Sequence, residues 1–248
     1  MSHPYDDRQR PVNPLSWFES GRQLFLRNPL PAIALPFAVV GPLVLLGAAA
    51  LAGTLAIELL ADRVTGRLNE LLTAAALEGY LGVLAVLFIA VMPALLAGVF
   101  ACFLQGVRTG RLTADRLLDG FRSWWACTWV VWLLESAVGL SIPLIVVLIG
   151  APCIYALHTL IWLALFRIVD KRQGGGQAIL FAWRVMQERW LMLTFFTFVM
   201  MTVVMAGTLV LIGMILITPI ATAALAAGYD ALSQNETDNG RAALDTKP

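Results

Sequence analysis

No charged side chain occurs from Asn28 to Ile57, from Gly79 to Val107 or from Trp190 to Tyr229, and Glu135 is the only one between Ser123 and Phe166. A helix that is apolar on every face must be buried in a large core or in a membrane. Crossing the roughly 30 Å hydrocarbon layer takes about 20 apolar residues as helix. The first two runs each fit one crossing and the last two each fit a pair, so the sequence predicts six. Lipid supplies no partner for a free N–H or C=O, so each crossing is helical, and nothing alternates with the period-two pattern of a membrane barrel. The composition agrees. Charged residues make up 13% of the chain, against about 25% in soluble domains, and hydrophobic residues 59%. The predicted fold class is all-α, a polytopic membrane protein. Trp17, Phe18 and several charges precede the first run, which argues against reading it as a cleaved signal peptide.

A net charge of +1 provides no electrostatic basis for binding nucleic acid. Lys and Arg nevertheless segregate along the chain. Fifteen of the 17 fall on one side of the predicted topology: Arg8, Arg10, Arg22 and Arg27; Arg108, Arg111, Arg116 and Arg122; Arg167, Lys171, Arg172, Arg184 and Arg189; then Arg241 and Lys247. Only Arg63 and Arg67 fall on the other side. Positive residues stay cytoplasmic, which places both termini there.

The spacing also predicts a three-fold internal repeat. Pro93, Pro152 and Pro219 each have Ala four residues later and are expected mid-span in the even-numbered helices, as kink or packing positions. Ala94, Gly98, Cys102 and Gly106, four apart, suit close backbone approach. Each hairpin follows a short amphipathic stretch: Trp17, Phe18, Gly21, Leu24 and Phe25; Leu117, Leu118, Phe121, Trp124 and Trp125; and Ile179, Trp183, Met186 and Trp190. These are read as helices lying in the cytoplasmic interface, the alternative being cytoplasmic extensions of the spans. The expected organisation is a disordered start at 1–13, one membrane domain over 14–232 in hairpin units of about 14–111, 112–173 and 174–232, and a disordered cytoplasmic tail at 233–248.

The stretches LFLRNPL after Gln23, PALLAG at Pro93, LLDGF at Leu117 and IVDKRQGGGQAILFAWR at Ile168 resemble a family of uncharacterised bacterial multi-pass inner-membrane proteins. That family is a domain of unknown function, similar to the membrane domain found with some glycerophosphodiester phosphodiesterases. The resemblance implies a bacterial inner-membrane location and a fold of repeated hairpins. It carries over no catalytic residue, because the soluble phosphodiesterase domain has no counterpart here.

Two residues stand out chemically. Glu135 is the one carboxylate inside an apolar run, and such groups are functional candidates by default. It reads either as a relay or cation ligand, or as the partner of a buried hydrogen bond. His158 lies in the fourth span. At 1.5 Å per residue the two should differ in depth by about 14 Å, so pairing is expected only if the hairpin turns near Gly150. One embedded His without an acidic cluster falls short of a metal site, and no Ser-His-Asp set assembles. Cys102, Cys127 and Cys153 read as packing residues, and Gly174–Gly176 as a hinge. Arg22, Arg27, Arg122, Arg184 and Arg189, interleaved with aromatics, are the candidates for holding anionic lipid headgroups. The reading is a non-enzymatic membrane protein without a cofactor. Its expected partners are membrane lipids, with a membrane protein or a second copy of the chain as further candidates. The alternative is a small-solute transporter or channel with its pathway near Glu135.

Overall fold

The structure, a computed structural model, describes residues 13–61, 67–143, 150–208 and 211–245. The described residues form helices joined by turns: α1 Pro14–Arg27, α2 Pro29–Ala61, α3 Arg67–Thr109, α4 Asp119–Arg122, α5 Trp124–Ser141, α6 Gly150–Lys171, α7 Gly175–Thr208 and α8 Leu211–Asp245. Among them, Leu81–Thr109, Gly150–Lys171, Gly175–Gly207 and Ile215–Thr237 are long and apolar enough to cross a membrane. The chain is thus an all-α protein of membrane character.

Burial concentrates in the C-terminal halves of α3 and α6, at Ala97–Leu104 and Leu160–Val169, and in the middle of α8, at Ala221–Leu232. Phe100, Phe166 and Tyr229, one from each helix, stack in series with ring centroids 4.5 and 5.3 Å apart. Later residues of α3 and α6 also meet, Arg108 pairing with Asp170, so these two run parallel, and Asp230 of α8 joins the same pair. The stacked rings stand seven residues past Pro93, fourteen past Pro152 and ten past Pro219. The prolines are therefore staggered along the bundle. Pro93 and Pro219 lie buried within their helices, whereas Pro152 is exposed in the first turn of α6, where its missing N–H leaves no helical bond unmade. Pro93 lies midway along Leu81–Thr109, whereas Pro219 is the fifth residue of Ile215–Thr237 and Pro152 the third of Gly150–Lys171, so the three do not share the mid-span position expected of them. A polar contact crosses from α6 to α7, where the Thr159 and Thr197 hydroxyls lie 2.8 Å apart and the Trp162 indole donates to Thr197 over 3.1 Å.

The three amphipathic stretches fold in three ways. The first is α1, capped at Asn13, whose side chain accepts from the Leu15 N–H. Its buried face, Trp17, Gly21 and Leu24, packs on α8: a Cβ at Gly21 would stand 2.7 Å from the Ala224 nitrogen and the Ile220 carbonyl, and the Trp17 ring covers Gly228. This apolar face is spent on protein. The second stretch begins as a turn that folds back along α3, passes through α4 and ends in the first residues of α5. The small residues of α3 admit this segment: a Cβ at Gly98 would collide with the Leu117 carbonyl, and one at Gly120 with the Ala94 carbonyl. The third continues into α7, broken where Arg189 leaves helical geometry (φ −141°, ψ 30°).

Asn28 fastens the break between α1 and α2. Its amide donates to the Leu24 and Gly110 carbonyls and its oxygen accepts from the Leu112 N–H, each over 3.2 Å. The expectation of a disordered tail from 233 is corrected, because α8 continues to Asp245. Gln234 bonds Asp230, Thr237 bonds the Ser233 carbonyl, and Glu236 pairs with Arg167 of α6. Of the start expected to be disordered, residues 1–12 lie outside the described residues.

Candidate functional site

Three polar places emerge, on different layers of the bundle. The innermost is an ionic junction of the three central helices. Arg108 of α3 pairs with Asp170 of α6 and, at 2.7 Å, with Asp230 of α8. Both carboxylates are nearly enclosed, with side-chain exposures of 5% and 9%. The Tyr229 hydroxyl donates to Asp170 over 3.0 Å, and the Gln234 amide donates to Asp230 over 2.9 Å. Beside them Arg167 bonds Gln173, pairs with Glu236 at 3.1 Å and lies 4.1 Å from the centre of the Phe181 ring. Among the described residues every charge here is answered by another, Lys171 completing the set at 3.7 Å from Asp170, so the junction locks helices together. Sequence reasoning passed over both aspartates. A signal was present, since Asp230 is the first acid after the long uncharged run from Trp190 and Asp170 lies within an otherwise basic loop.

The second place is a surface concavity of about 690 Å³ where α5 begins and α6 passes into α7. Arg122 and Arg172 border it, with Trp124, Trp125 and Trp129 along one side and Gly174 and Gly175 at the base. The three indoles are exposed (39%, 72% and 47%). The close approach at the base requires glycine: a Cβ at Gly175 would stand 2.9 Å from Val130 and 3.2 Å from the Trp129 ring. Arg172 adopts φ 51°, the left-handed conformation usually left to glycine after a helix. An arginine there costs roughly 1–2 kcal/mol of backbone strain. Arg122 lies 3.5 Å from Asp119, while Arg172 has no ion-pair partner among the described residues.

Of the five arginines expected to face headgroups, Arg122 alone lines this concavity. Arg22 is held on its own helix by Glu19 through bonds of 2.9 and 2.8 Å. Those bonds and one from Gln23 pull the Glu19 carboxyl down to about 2. Arg27 ends α1 near Gly110, Arg184 is exposed on α7, and Arg189 sits at the α7 break. Arg172 was counted in the sequence only as topological charge; its conformation could be seen only in the structure.

The third place joins Glu135 and His158. Because α6 is already helical from Gly150, the ring is brought level with the carboxylate, and His158 Nε2 lies 4.0 Å from Glu135 Oε1. The expected separation in depth is therefore corrected, on the condition the sequence had set. His158 Nδ1 lies 2.9 Å from the Ile154 carbonyl and donates to it. Glu135 is half exposed (49%), so the alternative of a buried hydrogen bond does not describe it. Among the described residues no three His, Cys, Asp or Glu gather as a metal site would require. Searched against family models, curated proteins and solved structures, the chain matches none.

Proposed function

We propose that this chain is a non-enzymatic, multi-pass inner-membrane protein that holds anionic phospholipid headgroups at its cytoplasmic rim. In this reading the chain crosses six times, α2 and α5 completing the set, with both termini cytoplasmic. The repeated hairpins and the resemblance to bacterial inner-membrane proteins belong to the same proposal. The observation that carries it is the concavity at Arg122 and Arg172. Exposed indoles favour the level of lipid headgroups, where an apolar ring and a polar N–H are both accommodated. Two guanidiniums beside them supply forked donors suited to phosphate oxygens. The first-turn N–H groups of α7 open beside Gly174 and add to that field. Strain at Arg172 is a cost to folding that a glycine would remove, which fits a side chain kept for what it binds.

Native mass spectrometry of the detergent-solubilised chain, titrated with phosphatidylglycerol or phosphatidylcholine, tests this. Basic residues near an anionic surface contribute about 1 kcal/mol each, so removing both arginines should weaken phosphatidylglycerol binding roughly 30-fold. Arg172→Gly with Arg122→Gln makes that removal, and the glycine also relieves the strain. Equal uptake of the two lipids, or an unchanged profile in the double variant, would sink the proposal.

A further inference from the structure

A groove of about 400 Å³ runs between α3 and α5, distinct from the headgroup concavity. Its walls are Phe88, Ile89, Met92 and Pro93 on α3 and Trp132 on α5, with Glu135 as its one ionisable residue. We propose that this groove binds a lipophilic organic monocation, with Glu135 as its counter-charge.

Charge complementarity selects the occupant. Among the described residues Glu135 has His158 as its one charge-bearing neighbour, at 4.0 Å, and makes no hydrogen bond. A carboxylate within an apolar span is costly unless something answers its charge. A lipid chain in the groove would leave it unanswered, and an anion would be repelled. A bare metal ion needs several oxygen ligands, and the walls are hydrocarbon, aromatic ring and thioether. A cation that carries its own apolar surface satisfies all of these walls at once.

Two further features point the same way. Pro93 has no N–H, so the carbonyl of Ile89, a residue of the groove wall, has no helical donor and remains an acceptor beside the space. Phe88 and Trp132 offer π faces, which attract cations most strongly where water is excluded. The volume lies within the range of drug-sized ligand sites. His158, anchored to the Ile154 carbonyl, steadies the carboxylate from the α6 side.

The test is equilibrium binding of radiolabelled tetraphenylphosphonium to the full chain in nanodiscs, with empty nanodiscs as reference. Saturable binding of one cation per chain is expected, weakened roughly tenfold or more in Glu135→Gln and largely kept in Glu135→Asp. Ile89→Trp, which fills the groove and leaves the carboxylate in place, should abolish it and guards against a folding defect in the first variant. Arg172→Gly should leave it unchanged, which separates this site from the headgroup concavity. The proposal is overturned if uptake is non-saturable and equal to empty nanodiscs, if Glu135→Gln binds as the parent does, or if neutral tetraphenylsilane competes as well as the cation.

Discussion

Replacing Arg108 by Met should be among the most destabilising single changes available to this chain, although the arginine is itself 35% exposed. The cost arises on its partners. Without Arg108, Asp170 keeps the Tyr229 hydroxyl at 3.0 Å and Lys171 at 3.7 Å, and Asp230 keeps, among the described residues, the Gln234 amide. Removing one member of a buried ion pair costs roughly 3–5 kcal/mol, and these residual bonds place the loss at the lower end, about 3 kcal/mol. For a chain of this size that corresponds to a fall in melting temperature of roughly 6–12 °C. Tryptophan fluorescence during thermal unfolding of the detergent-purified protein measures it. The decisive comparison is the triple variant Arg108→Met, Asp170→Asn, Asp230→Asn. It leaves no buried charge unpaired, Lys171 being half exposed, and should recover most of the loss, because neutral replacement of a buried ionic set is often close to neutral. A triple variant no more stable than Arg108→Met, or an Arg108→Met protein melting with the parent, would refute the assignment of the junction as a charge-balanced lock.

Gly98→Ala should cost about 1–3 kcal/mol in the same melting assay, because its Cβ meets the Leu117 carbonyl and the turn cannot yield without leaving α3. Gly82→Ala, with no atom within 4 Å, should instead be neutral or stabilising by up to about 1 kcal/mol. Trp17→Ala removes the contacts with Gly228 and Phe196 and should cost about 3–5 kcal/mol, with α1 the first segment released to limited proteolysis. Acid should loosen α1. The Glu19 carboxyl lies at about 2 in the folded chain against an ordinary 4.5, so its contribution is complete above about pH 4.5 and falls away as pH drops toward 2. The protection of α1 amides, their exchange rate taken relative to the intrinsic rate at each pH, should fall across that window in the parent and show no such dependence in Glu19→Gln.

The elements were legible in the sequence because lipid leaves a chain so few choices. A charge-free run must be helix, and its ends are marked by arginine and tryptophan. The central helices were legible as well, since small residues at four-residue spacing fall on α3 and α8. What those small residues receive was not. Gly98 and Gly120 admit a folded-back turn instead of a partner helix, a contact between segments whose separation in space no local pattern encodes. The amphipathic pattern at Trp17 likewise identified α1 but not its neighbour. An apolar stripe fits a membrane surface and the flank of α8 equally well, and only the glycines at 21 and 228 distinguish them, by fitting to a particular ring and backbone. Asp170 and Asp230 escaped notice for a related reason: an acid in a basic loop reads as dilution of charge until the fold places both on one arginine.

The positions of the three polar places follow from this packing. Where α3, α6 and α8 converge, charges are enclosed and must cancel, and the junction at Arg108 is saturated. Where the bundle meets its surroundings, the packing no longer supplies partners, and polar groups there are left to find them from outside. Arg172, in a strained turn without an ion pair among the described residues, and Glu135, half exposed beside Pro93 of α3, are two side chains in that condition. One is cationic among indoles and the other anionic among rings and a thioether, so they call for ligands of opposite charge. Loss of phosphatidylglycerol binding in the arginine variants with cation binding intact, and the reverse in Glu135→Gln, would establish them as two sites with separate chemistry.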